Sequence, residues 1–268
     1  DENVTNTADQ DKLVEWAYNN IAPYKNLRNC KENGAKYNMA WIFDQLAQNN
    51  LPFASLEYRV AQGVTAPYFG TVGLVTAKIE ATKILFDSKI EKISFTNNTR
   101  GLFMGNAALK TLAHVTYNED GAYAETVAEN VVDLTGFTQV ADYVVSSKTY
   151  HLSEMLMNAG MTKMVWFATL KDGDLEYAGV VDNKSVQGAK NLEEIIFPAS
   201  VTLTEIKANA FNGCYYLNVI DVKGIVSPDM TIDASAFTGA SGFTVKVYSE
   251  ISKTNMEKAL AGAGIGAT

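Results

Sequence analysis

The feature that most constrains this chain is a recurrence about 25 residues long. An aromatic or aliphatic residue, a glycine two positions on and a large apolar residue six on recur four times. The copies are Phe103/Gly105/Leu109, Val186/Gly188/Leu192, Phe211/Gly213/Leu217 and Phe237/Gly239/Phe243. A second pattern begins at the last apolar residue and continues with apolar residues at +3 and +5. It reads Met161/Met164/Trp166, Leu192/Ile195/Phe197 and Leu217/Ile220/Val222, with Ile90/Ile93/Phe95 as an earlier, incomplete copy. Leu192 to Leu217 is 25 residues and Leu217 to Phe243 is 26. Leu109 to Met161 is 52, which is two units, with a degenerate copy around Leu134 and Phe137 between them and Met155 at the place six before Met161. Met161 to Leu192 is 31, so that unit carries an insertion, placed within 171–183. A period near 25 predicts a stacked solenoid.

The pattern also says what each unit does. Side chains of a strand alternate between faces, so +3 and +5 point the same way, into the stack. The glycine permits a tight turn or a positive φ. The residue before it reaches back into the coil. One unit cannot bury that face alone; stacked neighbours give a continuous core and a parallel sheet.

The N-terminal third reads differently. Leu13, Trp16, Ala17 and Ile21 have helical spacing ended by Pro23, with Asp9 or Asp11 as cap. Met39, Ile42, Phe43 and Leu46 give a second amphipathic stripe, and a weaker third helix is expected over 54–61, ended by Gly63. These stripes are read as helix-on-helix core rather than a ligand groove. Character changes after residue 64, where 72–76 and 82–86 are short, apolar and β-rich. Residues 1–10 are polar apart from Val4 and Ala8 and are expected to be a flexible end. The opening Asp1-Glu2-Asn3 leads to the expectation that a signal has been removed or the sequence trimmed.

Residues 191–222 carry a recognisable signature: Leu192, Ile195, Phe197, Pro198, Ser200, Val201, Thr202, Ile206, Ala210, Phe211, Gly213 and Cys214. Ile232, Ala236, Phe237 and Gly239 repeat part of it, and the final segment reads as a last strand followed by a closing helix. This resembles the BspA-like leucine-rich repeat family of bacterial surface proteins. The likeness is strongest over 186–262 and weaker over 90–170, where the units lack the Pro and the Cys. The fold expected is α+β: an end over 1–10, a helical region over 11–65, and over 66–268 a leucine-rich repeat solenoid with a parallel sheet and a C-terminal capping helix. Thr254 and Glu257 stand at capping-box spacing for that helix. The resemblance implies an exported, often surface-anchored protein that meets a protein or glycan. It implies no binding residue. It gives Cys214 a buried stacking role, against the alternatives of a nucleophile or of a disulfide with Cys30.

Composition narrows the remaining classes. Thirty acidic and twenty-two basic residues leave a net charge of −8, which argues against nucleic acid or anionic lipid as the partner. No apolar run reaches the roughly 18 residues of a spanning helix. Two histidines, His114 and His151, offer no triad context, and no Cys or His pair has zinc spacing. The glycine-rich 261–266 is not a phosphate loop, because no lysine-bearing helix follows it. Asn118/Glu119/Asp120 and Asp172/Asp174 with Asp182/Asn183 are read as solvated turns rather than calcium loops. No catalytic, cofactor or metal residue is assigned.

The outward positions +2 and +4 give Thr111 and Ala113, then Lys163 and Val165, Glu194 and Ile196, Val219 and Asp221. Val165, Ile196 and Val219 on an exposed sheet would form an apolar patch. The expectation is a non-enzymatic, exported binding module whose site is Lys163, Val165, Glu194, Ile196, Val219 and Asp221. The alternatives are a carbohydrate hydrolase with a cleft between helical region and solenoid, and a structural surface spacer. Adjacent Glu193 and Glu194 point to opposite faces and make a poor catalytic pair.

Overall fold

The structure, a computed structural model, describes residues 27–28, 53–60, 68–69, 81–95, 103–140, 143–145, 148–150 and 152–266. Its spine is a nine-stranded sheet. The strands, in spatial order, are β1 (Leu27–Arg28), β2 (Phe53–Tyr58), β4 (Ala81–Asp87), β6 (Thr111–Val115), β7 (Val131–Asp133), β11 (Lys163–Val165), β15 (Glu194–Phe197), β17 (Val219–Val222) and β19 (Thr244–Val247). Every neighbouring pair is parallel. The opposite wall is built by two smaller sheets. One contains β3 (Tyr68–Phe69), β5 (Lys92–Ile93), β8 (Gln139–Val140), β12 (Lys171–Asp172) and β13 (Leu175–Glu176). The other contains β14 (Val180–Val181), β16 (Thr202–Ile206) and β18 (Ile225–Ile232). A two-stranded hairpin, β9 (Tyr143–Val145) with β10 (Lys148–Tyr150), completes the strands among the described residues.

The repeat becomes a ladder. Met164, Ile195, Ile220 and Val245 are direct cross-strand partners. Met164, Ile195 and Ile220 are buried, as are Trp166, Phe197 and Val222 two residues on. The turn glycines stack as well. Gly188 N–H donates to Asn212 O (2.7 Å) and Gly213 N–H to Thr238 O (2.8 Å), and both glycines have positive φ. Phe103, Val186, Phe211 and Phe237 fill the coil interior.

Several expectations are corrected. The α+β class with an N-terminal helical region does not hold. Among the described residues the single helix is α1 (Glu250–Gly262), and residues expected as a helix over 54–61 are strand β2 instead. The two earlier expected helices lie outside the described residues. The physical reason is visible in 53–60: Ala54, Leu56, Tyr58 and Val60 alternate with polar residues, a period of two. Strands β1 and β2 carry the parallel sheet into the stretch expected to be helical.

Ile90, Ile93 and Phe95 are not an early copy of the spine; β5 belongs to the opposite wall, and the spine strand of that coil is β4. In the unit before Met161, Leu156 rather than Met155 holds the interior slot, because Asn158 with φ +64° takes the turn glycine's place against Gly188. Asn158 N–H donates to Gln187 O at 2.8 Å. The helix begins earlier than the Thr254/Glu257 spacing suggests. Ser249 is its N-cap, accepting from Ser252 N–H, and the Thr254 hydroxyl donates to Glu250 O inside the helix.

Helix α1 closes the stack on one side. Ser252 Oγ accepts from Val226 N–H (3.1 Å), and Asn255 Nδ2 donates to Val226 O (2.9 Å). Two helix side chains thus answer the edge groups of β18 that a further strand would otherwise have met.

Candidate functional site

Strand alternation puts every second residue of the spine on its outer face, and parallel register decides which of these are neighbours. One row runs Val131, Lys163, Glu194, Val219, Thr244; the next runs Asp133, Val165, Ile196, Asp221, Lys246. All six residues expected from the sequence stand together in these two rows. Neighbours within a row are about 4.8 Å apart, the strand spacing of any sheet.

The polar groups in the rows are unequally served. Lys163 Nζ and Glu194 Oε2 form a cross-strand ion pair at 2.8 Å. Asp133 Oδ1 accepts from Thr135 N–H (2.9 Å) and the Thr135 hydroxyl (2.7 Å). Asp221 is only 6 % exposed, and its Oδ1 has no hydrogen-bond partner. Val165, Ile196 and Val219 are half-buried and lie between these charges.

The next outward residue, just past the end of β19, is Tyr248, 65 % exposed. Its hydroxyl leans back toward Asp221. Hydrogen bonding to that carboxylate, with the added charge of Glu194, raises the phenol above its ordinary range. Lys246 and Tyr248 were missed from the sequence because Phe243 sits one residue out of step. Val219 pairs with Thr244, so Phe243 lies opposite Asn218 rather than Leu217. Counted from Phe243, Val245 and Val247 would face outward, and the observed register turns them inward.

The outer face changes toward the N-terminal end of the sheet. Thr111 is buried, with its Oγ1 accepting from Asn130 N–H at 3.0 Å, and Ala113 is half-buried. Residues 116–123 fold against the end of β2. Tyr117 Oη donates to the buried Glu57 carboxylate (3.4 Å), Arg59 pairs with Glu57 (3.0 Å) and donates to Gly121 O, and its guanidinium lies 4.2 Å from the Tyr117 ring centre. Burial first, then the Glu57 charge, drives the Tyr117 phenol far above the ordinary tyrosine range. This cluster spends its charges internally and clamps the loop to the sheet.

The other residues weighed for chemistry fall into structural settings. His114 faces inward from β6, its Nε2 2.9 Å from Ile90 O and its ring edge-on to Phe137 at 4.3 Å. His151 and Cys30 lie outside the described residues. Cys214 is a buried free thiol whose Sγ donates to Val186 O at 3.3 Å; burial pushes its pKa up to about 12. In the turn at 118–122, Ala122 N–H donates to Asn118 Oδ1 (2.8 Å). Asp182 pairs with Lys207 at 3.2 Å. Among the described residues no helix is long and apolar enough to cross a membrane.

No family model matches the chain, and no curated protein matches it. Among solved structures, a leucine rich cell surface protein from Faecalibacterium prausnitzii A2-165 is similar at 15 % identity with a TM-score of 0.34, over 77 % of this chain and 54 % of that one. The chain thus spans about half the length of that protein. The 25-residue signature and the parallel solenoid together fit the leucine-rich repeat family that the sequence resembles.

Proposed function

We propose that this chain is an exported or cell-surface recognition module, without catalysis of its own, that binds a protein or glycan through the outer face of its spine. The observation that carries this reading is the two-row arrangement of Lys163, Val165, Glu194, Ile196, Val219 and Asp221. It sets an aliphatic strip among charges on a stack of strands whose geometry is held by the core behind it, and rigid sheet positions make precise contact surfaces. The hydrolase alternative loses support, because one wall of its cleft was to be helical and β2 belongs to the same sheet.

The test is binding of the purified chain to a panel of polysaccharides, mucins and host matrix proteins at two salt concentrations, beside the double variant Val165→Lys/Ile196→Lys. Both positions are half-buried on the outer face, so the variant leaves the core unchanged. A specific hit lost in the variant supports the site. Full retention of that hit moves the site off this face. Self-association with a blank panel favours the spacer role instead.

A further inference from the structure

Asp221 sits in a setting that calls for a donor. Its carboxylate is nine-tenths buried on the outer face, and Oδ1 has no hydrogen-bond partner. A buried acceptor left unfilled is costly, and a buried carboxylate more so than a neutral group. The nearby cations do not answer it. Lys163 is engaged by Glu194 at 2.8 Å, and Lys246, the cross-strand neighbour of Asp221 on β19, stands exposed and takes part in none of the ion pairs found among the described residues. Asp133, the other carboxylate of the same row, accepts twice from Thr135 at its Oδ1. The Tyr248 hydroxyl hydrogen-bonds the Asp221 carboxylate, and Oδ1 is the atom of that carboxylate left without a partner.

The surroundings choose the donor. On one side the row continues as Ile196 and Val165, an aliphatic track about two strand spacings long. On the other stands the exposed ring of Tyr248. A sugar would need several convergent donors and acceptors and a flat aromatic platform; here one acceptor is open and the adjoining track is aliphatic. A long side chain with an apolar stem and a cationic head matches each part: stem on Ile196 and Val165, charge at Asp221, and the ring of Tyr248 beside it.

We infer that Asp221 is the receptor for a lysine or arginine side chain presented by a protein partner, with Ile196, Val165 and Tyr248 forming the walls of its seat. This rests on the outer-face reading above and narrows it to a cation-bearing protein. Unpaired buried charges at interfaces are natural hot spots, since the partner's charge relieves a penalty already present.

The test uses the whole chain and argininamide as probe, with citrullinamide as its uncharged shape-match and methyl α-glucoside as the sugar arm. Binding is read by NMR at the Tyr248 ring and at the amides of 219–222 and 244–248. We expect saturable shifts with millimolar argininamide, at least fivefold weaker for citrullinamide and for the Asp221→Asn variant, and weaker again when salt rises from 50 to 300 mM. Asp221→Asn keeps the side chain's shape, and an unchanged melting curve confirms its fold. Tyr248→Ala, at an exposed site, is a second variant and should weaken the probe severalfold. Equal response to argininamide and citrullinamide, or an unchanged response in Asp221→Asn, overturns the inference. So does a response to the glucoside alone, which would make the seat a sugar site. Loss of panel binding in the Val165/Ile196 variant with no effect of Asp221→Asn defeats this inference and leaves the outer-face reading standing. Argininamide binding at Asp221 with panel binding untouched by the Val165/Ile196 variant does the reverse.

Discussion

Phe211 and Phe237, one turn of the solenoid apart, stack with ring centroids 5.1 Å apart and planes 7° from parallel. Each ring is the floor for the next, and Phe237 meets Phe243 at 4.8 Å in turn. The stack is linked directly to the backbone, since Phe211 N–H donates to Ala236 O at 2.8 Å. Removing the Phe211 ring therefore opens a cavity between two coils rather than at a surface. Phe211→Ala should cost about 3–5 kcal/mol in equilibrium denaturation. A cost under about 1 kcal/mol would contradict the stacked-core placement.

Close approach of adjacent coils makes a second prediction. A Cβ on Gly224 would stand 2.0 Å from Val201 O and 2.9 Å from Pro198 O, both backbone atoms that cannot swing aside. Gly173, in the β12–β13 turn, has open space around it and a φ of +58°. Gly224→Ala should destabilise at the upper end of the roughly 1–3 kcal/mol range of overpacking. Gly173→Ala should cost only the left-handed penalty, about 1 kcal/mol. Parallel thermal melts compare them, and the reverse order would refute the packing argument.

His114 ties stability to pH. Burial lowers its pKa, outweighing the bond to Ile90 O and the attraction of Asp133, Asp87 and Glu91, all of which act to raise it. The native ring is neutral, while the unfolded ring takes up a proton near pH 6.5. The unfolded state therefore binds more protons as pH falls. The stability held above about pH 6.5 is lost as pH drops below that value toward the lower native pKa. Melting temperatures between pH 5 and 7.5 should fall more steeply for the natural chain than for His114→Phe. Parallel curves would show that His114 does not titrate differently on folding.

The Cys214 thiol, raised to about 12 by burial, should be inert in the native state. In a Cys30→Ser background, a thiol reagent at pH 8 should label the chain only as fast as it opens, and completely in denaturant. Rapid labelling of the folded chain would place Cys214 at an accessible surface.

The edge of β18 adds a prediction about the cap. Ser252→Ala leaves Val226 N–H buried without its acceptor, so it should cost about 1–3 kcal/mol. Ser249→Ala loses only a helix cap, about 1 kcal/mol. Urea denaturation of the two variants orders them, and equal small losses would mean that water replaces Ser252 at that edge.

The amino-acid sequence by itself determined the repeat and its inner face. Residues such as Leu192, Ile195 and Phe197 recur because each coil must offer the same apolar points to the next, and that requirement is written in spacing alone. The alternation in 53–60 was equally legible as a strand, although two apolar residues three or four apart also satisfy a helix. What the tertiary structure decided is register. One residue fewer between Phe243 and β19 than between Leu217 and β17 reverses which side chains of 244–248 face out, and no local signal marks it. The neighbours of Asp221, namely Ile196 and Lys246, come from coils 25 residues away on either side. Their adjacency is set by backbone hydrogen bonds between strands, so the outer face exists as a surface only after the coils have stacked.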